Sequence, residues 1–236
     1  MFDINKYYNT YPYYGGYSAY NEPMGYNPFM LGSCFCKKSY LRVLNTFDTP
    51  LDVQVNEILI AENLDIGGFT KYIKLAPGSY QIIIYKSGEK NGILFESTID
   101  IDYNLVYTAV VSSDSNELED IYILMVPEEK EHHMTGNMSA LRLANLSLDI
   151  PDVVITTSDG TTLFDNVKYG SVSCNVALPS GRYDLILKTP EGSKVLESKM
   201  DFAPKMHYTL FIVGRRANES LKIIVPEDGV NYLDLC

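Results

Sequence analysis

Leu41-Arg42-Val43-Leu44-Asn45 returns about a hundred residues later as Leu141-Arg142-Leu143-Ala144-Asn145. The recurrence extends well beyond this motif. Pro50, Asp52 and Val53 return as Pro151, Asp152 and Val153, and Asn63-Leu64 with Gly67 returns as Asn166-Val167 with Gly170. Pro77-Gly78-Ser79-Tyr80 returns as Pro179-Ser180-Gly181-Arg182-Tyr183. Tyr107-Thr108 returns as Tyr208-Thr209, and Val126-Pro127-Glu128 as Val225-Pro226-Glu227. Order and offset are both kept, which chance matches would not do. A period this long means a duplicated domain, not a solenoid of short units.

Each copy reads as β-structure. Leu51, Val53 and Val55 alternate with Asp52 and Gln54, and Ile99, Ile101 and Tyr103 alternate with Asp100 and Asp102. Val172, Cys174 and Val176 alternate with Ser171, Ser173 and Asn175. Such alternation marks half-buried strands. Gln81-Ile82-Ile83-Ile84-Tyr85 and Tyr208-Thr209-Leu210-Phe211-Ile212-Val213 are continuous β-branched or aromatic runs suited to central strands. Pro-Gly, Ser-Gly and Asp159-Gly160 supply turns. The expectation is an all-β chain of two tandem immunoglobulin-like β-sandwich domains, about seven strands each.

Four segments follow: an arm over 1–38, a first sandwich over 39–129, a linker over 130–138 and a second sandwich over 139–236. The arm is low-complexity. Its Tyr7, Tyr8, Tyr11, Tyr13, Tyr14, Tyr17, Tyr20 and Tyr26 are spaced by Gly, Asn, Pro and Ser, and no strand or helix period survives. Such a segment buries too little to offset its ordering entropy, so a flexible or partner-ordered arm is expected. The polar linker predicts relative motion of the two sandwiches.

Composition excludes several classes. The 236 residues carry a net charge of -11, which argues against nucleic acid and against an anionic membrane surface. No run reaches the ~18 apolar residues of a spanning helix, so no membrane insertion is expected. Met1-Phe2-Asp3-Ile4-Asn5-Lys6 shows no basic region leading into an apolar stretch, so synthesis in the cytoplasm without a signal peptide is expected. The charge is unevenly divided. Residues 39–129 hold 5 basic and 15 acidic side chains, a balance of -10, whereas residues 139–228 hold 10 and 11, a balance of -1. An acidic first module of one chain meeting the more basic second module of the next is one reading, and ordinary surface drift is the other.

The pattern Leu-Arg-Val-x-Asn, Pro-x-Asp-Val, Asn-Leu-x-x-Gly and Pro-x-Gly-x-Tyr resembles the bacterial domain of unknown function 4397, in both copies. The resemblance implies tandem sandwich modules of bacterial surface or envelope proteins, and it brings no catalytic residues. The Tyr- and Gly-rich arm separately resembles, in composition alone, low-complexity segments of spore coat or crust proteins.

Candidate chemistry is sparse. His132 and His133 sit in the polar linker, where only Met134 and acids lie near, short of a zinc site. His207 opens a strand without a nucleophile motif. Cys174 reads as a small buried hydrophobe on the face of Val172 and Val176. Asp100, Asp102, Asp114, Glu117, Glu119 and Asp120 read as a solvated acidic face, since no calcium-loop motif is present. No catalytic residue, cofactor or metal is expected. Cys34 and Cys36 precede the first strand and Cys236 ends the chain, so they are candidate intermolecular cross-links or unpaired thiols. Tyr7, Tyr8, Tyr11, Tyr13, Tyr14 and Tyr17 are candidate assembly tyrosines or a sticky tail. The expected function is a structural protein of a bacterial envelope or spore coat, partnering itself or other surface proteins. The alternative is an adhesin-like or carbohydrate-binding sandwich that takes a glycan at loops near Tyr80 and Tyr183.

Overall fold

In the first copy the chain runs through eight strands: β1 (Ser39–Asn45), β2 (Leu51–Val55), β3 (Ile58–Leu64), β4 (Ile73–Leu75), β5 (Gly78–Lys86), β6 (Ile93–Ile101), β7 (Val106–Ser113) and β8 (Ile121–Glu128). The second copy supplies β9 (Met138–Asn145), β10 (Asp152–Thr157), β11 (Thr162–Lys168), β12 (Ser171–Val172), β13 (Val176–Pro179), β14 (Gly181–Lys188), β15 (Lys194–Phe202), β16 (His207–Val213) and β17 (Lys222–Ile224), then a 3₁₀ turn at Gly229–Asn231. This computed structural model describes residues 38–89, 92–113, 115, 120–128 and 136–235.

Both copies are two-sheet sandwiches, as expected, with one strand more than the expected count in the first. One sheet has the order β4-β1-β7-β8 and the other β3-β2-β5-β6. The second copy repeats this, with β12 and β13 both on β9, then β16 and β17, over β11-β10-β14-β15. In each copy the first strand lies parallel to the last but one: Tyr40 opposite Val106, and Ala140 opposite His207.

The repeated motifs hold the corners. Asn45 donates from Nδ2 to the carbonyls of Thr49 (3.0 Å) and Leu64 (2.8 Å), and its Oδ1 accepts from the N–H of Phe47 (2.8 Å). Asn145 does the same to Ile150 (2.9 Å), Val167 (3.2 Å) and Ser147 (3.2 Å). One buried side chain thus supplies three main-chain partners to a corner that would otherwise leave polar groups unpaired. Gly67 and Gly170 both adopt φ +70°, and their N–H groups reach the carbonyls of Asn45 and Asn145 (2.7 and 2.8 Å). That left-handed conformation explains the recurring glycine.

The ninth strand of the second copy arises from a bulge. Val172 lies opposite Ala144 and Val176 opposite Leu141, so four steps face three. The extra residue reverses the alternation beyond it. Cys174 is therefore exposed, not buried beside Val172 and Val176 as its sequence pattern suggested.

Three apolar clusters form. Leu41, Val43, Val53, Ile82, Ile84, Ala109 and Val111 lie in the first core, and Leu141, Leu143, Ile155, Leu185, Leu187, Leu210 and Ile212 in the second. The third joins Leu44, Val110 and Val126 to Ala144, Leu146, Phe211 and Val213. These side chains leave the opposite face of the same strands. The sheets built on β1 and β9 therefore face each other, and the molecule is four sheets deep. This corrects the expected mobility of the two sandwiches: a buried apolar seam joins them. It also explains why β7 and β16 are buried at every position, because strands covered on both faces read as continuous apolar runs.

Candidate functional site

The seam contains a buried charge cluster. The recurring arginines point into it, because β1 and β9 turn their even-numbered residues away from their own cores. Arg42 donates through Nε to Thr108 Oγ1 (2.8 Å), and Arg142 through Nε to Thr209 Oγ1 (2.8 Å). Each then crosses to the other copy: Arg42 Nη1 reaches the carbonyl of Glu227 (3.3 Å) and Arg142 Nη1 that of Pro127 (2.6 Å). Thr108 donates to Glu128 Oε1 (3.2 Å), and Thr209 to Asp228 Oδ2 (3.0 Å). Tyr107 lies opposite Pro127 and Tyr208 opposite Glu227, so the register equates Glu128 with Asp228, one residue away from the pairing the sequence suggests.

Arg42 Nη2 lies 3.2 Å from Glu128 and 3.9 Å from Asp228, and Arg142 Nη2 lies 3.9 Å from Asp228. Neither Nη2 makes an aligned hydrogen bond. They are held by charge. Burial pushes the Glu128 carboxyl above its ordinary range, helped by the Asp228 charge, while burial alone does so for Asp228. The Glu128 carboxylate also accepts from the Tyr72 hydroxyl and from the N–H of Gly229 (2.5 Å). The Arg42 guanidinium sits 4.6 Å from the Phe69 ring centroid and 4.7 Å from that of Tyr72. The two arginines, two threonines and two carboxylates are all buried, and the cluster fixes one sandwich on the other.

The outer sheets face the other way, toward solvent. In the first copy, Leu59, Gln54, Ile83 and Glu96 form one outward row, and Asp52, Tyr85 and Ile93 the next. Gln81 with Thr98 and Ser79 with Asp100 complete the face. Leu59 is 46% exposed and Ile93 53%, with Ile58 at the tip 68% exposed. Tyr85 is half-buried between them. Among the described residues the face carries Asp52, Glu96 and Asp100 and no basic side chain. Asp52 loses hydration, but hydrogen bonds from the Asn63 N–H, the Ser87 side chain and the Gly88 N–H together outweigh this and hold its carboxyl below the usual range.

The second copy puts different chemistry at the same places. Its rows are Thr162, Thr156, Ile186 and Glu197; Val154, Lys188 and Lys194; Asp184 and Lys199; Arg182 and Asp201. Leu59 is thus replaced by Thr162, Tyr85 by Lys188 and Ile93 by Lys194. The charges pair across the face, Arg182 with Asp201 at 3.3 Å, Lys199 with Asp184 at 4.0 Å, and Lys194 with Glu197. The first face is an apolar strip in an acidic frame; the second is a lattice of ion pairs.

The residues singled out from sequence fall as follows. Tyr80 and Tyr183 are tied into their own turns, donating to the carbonyls of Ala76 (2.8 Å) and Pro179 (2.7 Å), with rings against the two cores. Their hydroxyls are thus engaged by the fold. His207 is buried, with Nδ1 3.0 Å from Asn231 Oδ1. Cys34, Cys36, Cys236, the arm tyrosines, His132, His133, Asp114, Glu117 and Glu119 lie outside the described residues. Among the described residues no three His, Cys, Asp or Glu side chains converge as a metal site, and no helix is long and apolar enough to cross a membrane. A cleft lined by Ile150, Pro151, Thr189, Pro190 and Arg216 has a volume of about 140 Å³. That is below the roughly 300 Å³ at which small-molecule sites begin. The outer face of the first copy, with its unpaired apolar side chains, is the candidate site. Sequence reading missed it because the alternation in β3, β5 and β6 is broken by bulges, which hide that Leu59, Tyr85 and Ile93 share a face.

The model of the family described as "Domain of unknown function (DUF4397)" matches residues 39–156 and 156–233. The chain belongs to that family. The boundary between the two DUF4397 segments falls inside β10, while the sheets divide the chain ahead of β9. No curated protein matches the chain. Among solved structures, a family 26 carbohydrate-binding module of Eubacterium rectale Amy13K, in complex with maltoheptaose, is similar over 79% of this chain and 96% of its own, at 9% identity and a TM-score of 0.27. A streptococcal virulence factor, in a structure of its α-glucan binding, is similar over 83% and 100%, at 10% identity and a TM-score of 0.26. The Bacillus anthracis TIE protein is similar over 75% and 34%, at 10% identity and a TM-score of 0.24.

Proposed function

We propose that the protein is a non-catalytic recognition module of a bacterial surface structure, with the outer face of its first sandwich as its working surface. One observation carries this reading: equivalent positions hold Leu59, Tyr85 and Ile93 in one copy and Thr162, Lys188 and Lys194 in the other. A fold needs neither set, since both point to solvent. Exposed apolar side chains rimmed by polar ones mark an interaction surface. A glycan is the second reading. It is favoured by Tyr85, an aromatic face for stacking, flanked by the hydrogen-bonding side chains of Gln54, Gln81 and Asp52.

The test is a triple substitution, Leu59→Ser, Tyr85→Ser and Ile93→Ser, in the full chain. Wild type and variant are passed over immobilised soluble glucan and over immobilised copies of the chain itself. The expected result is retention of the wild type by one of these surfaces and of the variant by neither, with unchanged thermal unfolding. Equal retention of both proteins, or of neither, contradicts the reading.

A further inference from the structure

We infer that the outer face of the first sandwich docks on the outer face of the second sandwich in another copy of this chain, so that copies add end to end. The inference rests on the proposed role of the first face and names its partner. Three observations support it. First, the β1 and β9 sheets face each other across the seam of Leu44, Val110, Phe211 and Val213, so the two outer faces lie at opposite ends of the four-sheet stack. A contact between unlike ends leaves one free face of each kind and continues into a ring or an open chain.

Second, the charges complement. Among the described residues the first face presents Asp52, Glu96 and Asp100 with no basic residue, and the second presents Arg182, Lys188, Lys194 and Lys199 among three acids. Two first faces would oppose acid to acid, so the charge disfavours the like-with-like pairing. Third, the apolar strip finds a counterpart. Val154 and Ile186 are half-buried on the second face, beside the aliphatic stems of Lys188 and Lys194. Such stems cover apolar surface while keeping their charge in solvent, which suits them to Leu59, Tyr85 and Ile93.

The test is sedimentation of the full chain over a range of concentrations, with a reductant so that no disulfide contributes. Three samples are compared: the Leu59→Ser, Tyr85→Ser, Ile93→Ser variant, the Lys188→Glu, Lys199→Glu variant, and their equimolar mixture. Wild-type mass should grow with concentration, and each variant alone should stay monomeric. The mixture should stop at dimers, because each partner keeps one working face. Raising salt from about 0.05 to 0.5 M should weaken wild-type association roughly tenfold. Dimers formed by the Lys188→Glu, Lys199→Glu variant alone, or a monomeric mixture, would overturn the inference. A wild type that stays monomeric but loses glucan binding on the triple substitution would overturn it while leaving the recognition reading intact. Monomeric behaviour without any face-dependent binding would sink both.

Discussion

The charge cluster at the seam and the exposed apolar strip of the first outer face differ in how closely the two copies agree. At the seam Arg42 matches Arg142, Thr108 matches Thr209, and Glu128 matches Asp228, with equivalent bonds in both directions. On the outer faces Tyr85 stands where Lys188 does, and Ile93 where Lys194 does. A position whose side chain is enclosed by the partner copy is constrained by that partner. A position facing solvent is constrained only by what the protein meets. The contrast separates what holds the molecule together from what it offers to others.

The strongest way to break this contrast is at the seam. Arg42→Ala should destabilise the chain by about 3–5 kcal/mol, since it leaves the buried Glu128 carboxylate without its cation; Arg142→Ala should cost less, since Asp228 keeps Arg42 at 3.9 Å. Urea unfolding midpoints measure this, and a larger loss at Arg142 than at Arg42 would contradict the pairing of Arg42 with both carboxylates. A smaller effect is expected at the corners. Asn45→Ala and Asn145→Ala should each cost about 1–3 kcal/mol by leaving buried main-chain groups unpaired. Similar values for the pair would sharpen the equivalence of the copies.

The buried carboxyls add a dependence on pH. Glu128 binds its proton more tightly in the folded chain than in the unfolded one, because burial comes first and the Asp228 charge second. Between the ordinary glutamate value and the raised one, the folded state therefore holds more protons, and acidification stabilises it. Glu128→Gln lacks this response. Wild type should gain stability relative to the variant as pH falls from neutrality toward the ordinary glutamate range, as followed by thermal melts. A gap that widens in the opposite direction would contradict the burial of that group. The smallest effect on stability belongs to the outer face: Tyr85→Lys alone should change unfolding by less than about 0.5 kcal/mol.

Much of the fold was legible in the sequence because duplication shows it twice. The Asn45 and Asn145 corners, the Gly67 and Gly170 turns and the alternation in β2 all read through directly. The seam did not. Its clue was present in Tyr208-Thr209-Leu210-Phe211-Ile212-Val213, whose unbroken apolar run fits a strand covered on both faces, but a run cannot say what covers it. The polar linker pointed to motion instead. The recurrence of Val-Pro-Glu matches Glu128 to Glu227, while the sheet register sets it against Asp228. Alternation alone puts Cys174 in the core, because a bulge leaves no mark on it. The candidate site was hidden for the same reason, since bulges scatter its residues through the pattern of three strands.

The most direct test transplants one face onto the other copy. Leu59→Thr, Tyr85→Lys, Ile93→Lys, Thr98→Lys and Ser79→Arg give the first sandwich the side chains its counterpart carries at those positions, and leave the seam untouched. The weight-average mass of this variant at high concentration, read by sedimentation beside its melting curve, is the deciding measurement. Cooperative melting with a mass fixed at the monomer, while the wild type associates, is the result predicted. Association of the variant equal to that of the wild type would show that the difference between the two outer faces carries no function.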